Sequence, residues 1–325
     1  MAEHTDSRAC VIALDVGGTS MKGAVLDHAM RPLKTLRVPT PRREGPEAVV
    51  NAVARALRDL QSQAAAIHQK PVAAGVVIPG IVDEPAQQAV HSVDLGWRDV
   101  PLAAVLEHST GLPVTIGHDV RAGAVAESRL GAARGVDDAL FVAIGTGISA
   151  AVLTEGRPLR AGGHAGELGH LSVTTSAVRC ACGNSRCLET VASARAIAAA
   201  YTALSGREVE GAEHVAALVT DGDPVAFRVW ERATDALAEA FAVCATLLAP
   251  EVIVIGGGLS RAGELLLAPL RDAIDCRLSC QRRPELVQAA LGTQAGCLGA
   301  GLLAWDAAGT GVAAGLPTGR VGGTL

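Results

Sequence analysis

The residues with the most distinctive chemistry lie between positions 162 and 189, where two glutamates, two histidines and three cysteines share one short stretch. Four of them have the spacing H-x9-C-x-C-x4-C, namely His170, Cys180, Cys182 and Cys187. Three thiolates and one imidazole form a soft set of four ligands, which is typical of a closed tetrahedral zinc site. A closed site has no open position for water or substrate, so the spacing predicts a structural zinc ion. The alternative is a group of unliganded side chains in a reducing compartment.

Two glutamates flank this set of ligands. Glu167 precedes His170, and Glu189 follows Cys187. A bound metal would hold both carboxylates in fixed positions, and each carboxylate accepts hydrogen bonds from two donors. The arrangement indicates a site that recognises a compound with several hydroxyl groups. Considered singly, either glutamate is better explained as a solvated surface charge.

The composition limits the class of protein and its partners. The chain has 325 residues, enough for two domains or one large one, and 49% of them are hydrophobic but only 2% aromatic, so the core must consist of Ala, Val and Leu. A net charge of −5 without a basic cluster disfavours a nucleic-acid partner. Because the sequence has neither a signal peptide nor an apolar run of membrane-spanning length, we expect a cytoplasmic protein without membrane spans. The other cysteines are expected to be buried and inert: Cys10, Cys244, Cys276, Cys280 and Cys297.

Two segments read as a strand, a glycine-rich turn and a second strand. The first ends at Asp15 and continues through Gly17-Gly18-Thr19, and the second runs through Gly145-Thr146-Gly147. Neighbouring glycines let backbone N–H groups converge on an anion such as a phosphate. Asp15 could hold Mg²⁺ through water, and Lys22 could add a positive charge; an ordinary hairpin explains the first turn equally well. The repetition predicts a duplicated architecture that holds phosphates between two lobes.

Further strand ends carry candidate residues. Asp119 lies where a predicted strand gives way to a helix, near backbone donors and the positive end of the helix dipole. This is a common position for a catalytic carboxylate, although Asp119 alone is better explained as the N-cap of that helix. Another strand ends in Gly256-Gly257-Gly258, which allows close approach of a ligand. Residues 91–101 are predicted to form a loop whose Trp97 either lines a ligand cleft or packs beneath the loop.

Taken together, these segments resemble the ROK family (repressor, open reading frame, kinase), whose members have the actin/hexokinase-like fold. The resemblance extends from about residue 10 to residue 306 and is most specific in GELGH followed by CACGNSRCLE. The other motifs that carry it are DVGGTSMK, IPGIVD, GHDVRAGAVAE, IGTGIS, VIVIGGG and LGTQAGCLGAG.

The resemblance implies an α/β protein with the two-lobed actin-like/hexokinase-like ATPase fold, in which duplicated βββαβα-type domains enclose a cleft. The N-terminal lobe would comprise residues 8–117 together with a C-terminal helix at about 302–308. The larger C-terminal lobe, with the zinc-binding loop, would comprise residues 118–301. Residues 309–325 are expected to form a flexible tail, because they are polar and rich in glycine.

The resemblance also implies an ATP-dependent sugar kinase that phosphorylates a hexose hydroxyl, with the 6-hydroxyl of glucose as the first expectation. Asp119 would be the general base, and Mg²⁺ would accompany ATP. The sugar-binding residues would be Gly80, His118, Asp119, Glu167, His170 and Glu189. The ATP-binding residues would be Asp15, Gly17, Gly18, Thr19, Lys22, Gly145, Thr146, Gly147, Gly256 and Gly257. His170 would serve both the zinc ion and the sugar, and the protein would be a homodimer or homotetramer.

Three residues depart from the family pattern. The family usually has Asn where this chain has His118, Arg121 and Asp94. The Asn at the first of these positions normally contacts sugar hydroxyls, so the departure leaves the sugar open among glucose, an N-acetylhexosamine, and a rarer sugar or cyclitol. A catalytically silent sugar-binding protein of the same fold is a further alternative.

Two readings with nucleic-acid partners are disfavoured. Repressors of the family carry a helix-turn-helix domain before the first glycine turn, whereas only fourteen residues precede Asp15. A zinc-ribbon module would need a second C-x2-C pair and a basic surface.

Overall fold

Two mixed β-sheets of five strands each form the framework of the computed structural model, which describes residues 8–173 and 178–309. The first sheet has the strand order β3-β2-β1-β4-β8, the second β11-β10-β9-β12-β13, and a small third sheet has the order β5-β6-β7. The strands in chain order are β1 (Ala9–Val16), β2 (Ser20–Leu26), β3 (Pro32–Pro39), β4 (Lys70–Ile78), β5 (Ile81–Asp83), β6 (Gln88–Ser92), β7 (Trp97–Val100), β8 (Val114–His118), β9 (Ala139–Ile144), β10 (Ile148–Thr154), β11 (Arg157–Pro158), β12 (Val252–Gly256) and β13 (Glu285–Gln288).

The two large sheets share one pairing pattern. In the first sheet β1 pairs antiparallel with β2 and parallel with β4, which in turn pairs parallel with β8. In the second sheet β9 pairs antiparallel with β10 and parallel with β12, which in turn pairs parallel with β13. The duplicated architecture expected from the two glycine turns is therefore present in the strand topology.

The helices cover the sheets. The described α-helices in chain order are α1 (Pro46–Ala66), α2 (Leu102–Thr110), α3 (Asp119–Leu130), α4 (Glu189–Ala192), α5 (Ala194–Ser205), α6 (Ala212–Thr220), α7 (Pro224–Leu248), α8 (Glu264–Asp275) and α9 (Ala295–Ala307). α1 begins with proline, whose fixed φ suits the first helical position, and buries Val49, Val53 and Leu57 against the first sheet. α7 is capped by Asp223, whose carboxylate accepts the N–H groups of the first turn.

Helices α3 and α9 pack closely against each other and against the first sheet. A Cβ on Gly299 of α9 would lie 2.2 Å from the Ala122 carbonyl oxygen of α3, and one on Gly75 of β4 would lie 1.8 Å from the Ala300 carbonyl oxygen. Glycine at these positions is what allows the backbones to approach so closely. The helix expected at about 302–308 is the C-terminal part of the longer α9. Residues 310–325, nearly the whole predicted tail, lie outside the described residues.

Two local expectations were wrong, and one alternative that the sequence left open is decided. The segment predicted as a loop over residues 91–101 contains parts of β6 and β7. Trp97 is buried, and its indole N–H donates to the Pro46 carbonyl oxygen at 3.0 Å, so it packs beneath this hairpin. Cys276 and Cys280 are exposed, whereas the other three cysteines outside the predicted ligand set are buried as expected.

Among the described residues, no helix combines the length and apolarity needed to cross a bilayer.

Candidate active site

Asp119 occupies the junction between β8 and α3. Its Oδ1 accepts the N–H of Val120 at 2.7 Å, and its side chain is 29% exposed, so a substrate can reach the carboxylate. The N-cap of α3 is the preceding residue, His118, whose Nδ1 accepts the N–H of Arg121 at 3.3 Å. The alternative interpretation of Asp119 as the N-cap was therefore wrong, and its carboxylate does not cap the N-terminus of α3.

His118 has two groups near its Nδ1: the Arg121 N–H at 3.3 Å and Oδ1 of Asp119 at 3.4 Å. The His118 side chain is buried, and burial lowers its pKa. The positive charge of Arg121 lowers the pKa further, whereas the negative charges of Asp119, Glu167 and Glu84 raise it. Because Nδ1 accepts a hydrogen bond, the neutral ring carries its proton on Nε2. His118 can thus offer one donor, whereas an asparagine offers a donor and an acceptor.

Arg121 belongs to a cluster of three charged side chains, the Glu84 ion-pair cluster (Glu84, Arg121 and Arg160). Arg121 is 2% exposed; its Nε lies 2.9 Å from Oε1 of Glu84, and Nε of Arg160 lies 2.6 Å from Oε2 of the same carboxylate. Arg121 Nη1 also donates to the Gly163 carbonyl oxygen at 3.4 Å. The cluster joins the first turn of α3 to the segment that leads into Glu167.

The four predicted metal ligands come together. The candidate ligand atoms of His170, Cys180, Cys182 and Cys187 all lie within 4.8 Å of one another. Nδ1 of His170 is 3.6 Å from Sγ of Cys180, and Sγ of Cys182 is 3.6 Å from Sγ of Cys187. The cluster can therefore hold a metal ion.

Both glutamates adjoin this cluster. Nε2 of His170 lies 3.8 Å from Oε2 of Glu167, on the opposite side of the ring from the cysteines. Sγ of Cys180 donates to Oε1 of Glu189 at 3.0 Å. A Cβ on Gly147 would lie 3.0 Å from Oε2 of Glu189, so the second glycine turn borders the same carboxylate. The predicted hydroxyl-binding and phosphate-binding groups thus meet at Glu189.

Asp15 is the half-buried carboxylate at the first glycine turn. Burial raises its pKa to about 7, the negative charge of Asp119 acts in the same direction, and Lys22 opposes both. Asp15 and Lys22 are opposite each other on β1 and β2. The two aspartates come from the ends of β1 and β8, which both pair with β4: Asp15 is opposite Val77, and Ile78 is opposite His118. A pair of carboxylates in such a setting favours a bound cation.

The other glycine segments occupy tight positions. Gly257 has φ +79°, and a Cβ there would lie 2.3 Å from the Ile144 carbonyl oxygen, which places the third glycine run beside the end of β9. Gly256 ends β12 against the ring of Phe141, and Thr146 is exposed at the tip of the second turn. Gly80 has φ +105° and follows β4, whose last residue, Ile78, pairs with His118.

Two residues beside the first glycine turn were missed by sequence reasoning. The Thr40 hydroxyl donates to the Gly17 carbonyl oxygen at 2.6 Å, and the Thr40 N–H donates to the Thr19 carbonyl oxygen at 3.0 Å. Nη1 of Arg42 lies 3.8 Å from the position of a Cβ on Gly18. No local pattern marks these residues, because the pairing of β2 with β3 brings them to the turn.

The duplicated sheets, the glycine turns and the strand-end carboxylates define the class of actin-like, two-lobed ATPase folds. The family model described as "ROK family" matches residues 11–307. A glucokinase of Halalkalibacterium halodurans is 32% identical over 309 residues, which cover 90% of this chain and 94% of the relative. The chain therefore belongs to the ROK family.

Solved structures agree with this assignment. A ROK hexokinase from Thermus thermophilus has a TM-score of 0.80 and 35% identity, covering 93% of this chain and 100% of that one. A ROK family glucokinase from Streptomyces griseus, solved in complex with glucose and AMPPNP, has a TM-score of 0.76 and 30% identity, covering 91% of this chain and 99% of that one. The α/β fold expected from the sequence is confirmed.

Proposed function

We propose that this protein is an ATP-dependent kinase that phosphorylates a hexose hydroxyl, with the 6-hydroxyl of glucose as the first candidate. The observation that carries the proposal is the position of Asp119, a reachable carboxylate at the end of β8 that lies 3.4 Å from the His118 ring, in the same sheet as the end of β1 with Asp15. A proton acceptor for the hydroxyl thus lies beside a phosphate-binding turn. The glucokinase and hexokinase relatives support the same reaction.

Asp119 is the proposed general base. It accepts the proton of the sugar hydroxyl as the hydroxyl oxygen attacks the γ-phosphorus of ATP. The new O–P bond forms while the bond from the γ-phosphorus to the β–γ bridging oxygen breaks, and ADP leaves with the electron pair. The hydrogen bond from Val120 holds the carboxylate in one orientation, which leaves its second oxygen for the hydroxyl.

The sugar is proposed to lie between the ends of β4 and β8 and the metal-ligand cluster. His118 donates from Nε2, and Glu167 and Glu189 each accept hydroxyl protons. His170 turns Nε2 toward Glu167 and Nδ1 toward Cys180, so its two nitrogens can serve the sugar and a metal separately. The backbone of Gly80 completes this side of the pocket.

A structural zinc ion is the proposed occupant of the His170, Cys180, Cys182 and Cys187 cluster. Four soft donors within 4.8 Å of one another fit a closed tetrahedral site. The ion would hold the backbone on both sides of the cluster and so fix Glu167 and Glu189. It would take no part in the phosphoryl transfer, because all four ligand positions belong to the protein.

The triphosphate is proposed to lie along the glycine segments. The residues involved are Gly17, Gly18, Thr19, Lys22, Gly145, Thr146, Gly147, Gly256 and Gly257. Asp15 fits a Mg²⁺ ion that accompanies ATP, because its carboxylate ends β1 at the first glycine turn and carboxylate oxygens are ligands that Mg²⁺ prefers. When bound, Mg²⁺ supplies charge neutralisation for the β- and γ-phosphates.

The lobe boundaries, the oligomeric state and the cellular location are also proposals. We propose the lobe boundaries given by the resemblance, a homodimer or homotetramer, and a cytoplasmic location, where ATP is supplied. No nucleic-acid partner is proposed.

A different sugar is the second candidate, and a silent sugar-binding protein the third. The observation in their favour concerns His118 and Arg121, which stand where the family usually has asparagines. His118 offers one ring N–H donor, and Arg121 is a buried cation paired with Glu84. A hexose analogue with an acceptor at the matching position would satisfy the single Nε2 donor of His118. N-acetylhexosamines and cyclitols therefore belong in any substrate panel.

The test is ATP consumption by purified protein with Mg²⁺ against hexoses, N-acetylhexosamines and cyclitols. The Asp119→Asn variant runs in parallel with the wild type. Turnover with one sugar that the variant loses by about 100-fold or more supports the general base. Turnover retained within a few-fold refutes that role. No turnover with any sugar, combined with a sugar-dependent rise in melting temperature, would replace the kinase proposal by the silent binding protein.

A further inference from the structure

A basic 3-10 turn, Arg42–Glu44, is fixed beside the first glycine turn. Thr40, which is buried, donates its hydroxyl to the carbonyl oxygen of Gly17 and its N–H to that of Thr19. These two bonds join the residue to both ends of the glycine turn. The N–H of Arg42 then donates to the Thr40 carbonyl oxygen at 2.9 Å. The start of the basic turn is therefore positioned relative to the glycine backbone, although the two are distant in sequence.

The Arg42 side chain lies over Gly18. Its Nη1 is 3.8 Å from the position that a Cβ on Gly18 would take, and Cβ and Cγ of Asp94 are 3.4 and 3.7 Å from the same point. Within residues 8–173 and 178–309 the guanidinium makes no ion pair. The N–H donors of an exposed arginine without an ion pair are available to a ligand.

The side chains around the proposed site are mostly negative, so a bound phosphate needs a nearby cation. Five carboxylates border the proposed substrates: Asp15, Asp94, Asp119, Glu167 and Glu189. Two nearby guanidiniums, those of Arg121 and Arg160, are already paired with Glu84. Lys22 is opposite Asp15 in the sheet, and its charge lowers the pKa of that carboxyl. Among the described side chains, Arg42 is the guanidinium that lies beside the first glycine turn and has no ion pair with a carboxylate.

We propose that Arg42 binds the terminal phosphate of ATP and stabilises the charge on its oxygens during transfer. This inference rests on the proposed kinase function and adds a residue to its phosphate site. A guanidinium offers two parallel N–H donors that match two phosphate oxygens. Because the basic turn is fixed to the glycine turn through Thr40, the backbone of Arg42 is held beside the proposed phosphate site before ATP arrives, and only the side chain has to adjust.

The test compares Arg42→Gln with Arg43→Gln, a matched control, since Arg43 is the next residue of the same turn and is also exposed. The binding probes are MgADP and a magnesium complex of the non-hydrolysable ATP analogue AMPPNP. For Arg42→Gln we expect the affinity for the analogue to fall by about 10- to 100-fold, the range of a charge-assisted hydrogen bond, and the affinity for ADP to stay within about threefold. Arg43→Gln is expected to match the wild type with both probes.

Kinetics provide the second readout. For Arg42→Gln, kcat/KM for ATP should fall at least as far as the affinity for the analogue, while KM for the sugar changes little. Arg42→Lys should recover part of the loss, because it restores the charge without the planar fork. Equal losses for ADP and the analogue, or equal effects of the Arg42 and Arg43 changes, would overturn the inference.

The outcomes separate this inference from the proposed function. If the wild type phosphorylates a sugar and Arg42→Gln leaves ATP kinetics unchanged, only the role of Arg42 is wrong. If the wild type binds neither nucleotide, the kinase proposal and the role of Arg42 are both wrong. If it binds the analogue without turning over any sugar, the binding comparison still decides the role of Arg42. Melting temperatures of all variants show whether a loss reflects misfolding.

Discussion

Replacing Glu84 by Gln tests whether the Glu84 ion-pair cluster supports the site. The change keeps the size of the side chain and removes the charge that faces two guanidiniums. Arg121 is 2% exposed and its Nη2 already lacks a hydrogen-bond partner in the described part of the chain, so it would be left as a buried, uncompensated cation. Arg160 is 55% exposed and can be solvated instead.

The magnitude follows from this difference in burial. Breaking a buried ion pair by removing one partner costs about 3–5 kcal/mol, whereas an exposed pair is worth about 0–1 kcal/mol. The glutamine carbonyl can still accept one hydrogen bond, which offsets about 1 kcal/mol. We therefore expect Glu84→Gln to lower the free energy of unfolding by about 3 kcal/mol, almost all of it from the contact with Arg121.

The assay is urea denaturation followed by circular dichroism and by the fluorescence of the buried tryptophans. Glu264→Gln is the matched control, because Glu264 pairs with Arg271 at 2.6 Å but is 69% exposed; its cost should be below about 1 kcal/mol. The double variant Glu84→Gln/Arg121→Gln should regain much of the loss, since no buried charge remains. A cost for Glu84→Gln no larger than that of the control would refute this reasoning.

Three further predictions concern single residues of the site. His118→Asn should change the preference among sugars and KM for the sugar more than KM for ATP, because Asn replaces a fixed Nε2 donor with a donor and an acceptor; equal effects on both substrates would contradict a sugar contact. Cys182→Ser should lower metal content, melting temperature and sugar affinity together, with Cys276→Ser, also exposed, as the control; an unchanged melting temperature in a metal-free wild type would exclude the zinc proposal. Asp15 has a folded-state pKa raised from 3.8 to about 7, so without Mg²⁺ stability should fall as pH rises between these values, and Asp15→Asn should flatten that pH dependence while abolishing turnover; an equally steep profile in the variant would count against it.

Much of the candidate site could be predicted where the residues are neighbours in the chain. The spacing from His170 to Cys187 indicated four ligands, and the structure brings them within 4.8 Å of one another. The position of Asp119 at a strand end was also readable, because strand and helix patterns change at that residue. The cap was assigned to the wrong residue, since sequence rules favour Asp over His at an N-cap and the ring orientation that reverses this depends on packing.

The partners of Arg121 and the surroundings of the first glycine turn could not be predicted. Glu84 is 37 residues from Arg121, and Thr40 is 23 residues from Gly17. Nothing in the local pattern distinguishes these residues from solvated polar side chains. The hairpin over residues 88–100 was likewise missed, because its two strands are short and Trp97 was as compatible with a loop as with a buried strand.

The sequence by itself determined the chemical groups of this protein and the local frames that carry them: the cysteine and histidine ligands, the glycine turns after strands, and the carboxylate before a helix. These follow from spacing and from backbone preferences that act over a few residues. Only the tertiary structure decided which groups share a site. The parallel pairing of β1, β4 and β8 places Asp15 near Asp119, and the pairing of β2 with β3 places Arg42 over Gly18. Such contacts depend on how distant segments pack, because electrostatic and hydrogen-bonding partners are set by proximity in space and not along the chain.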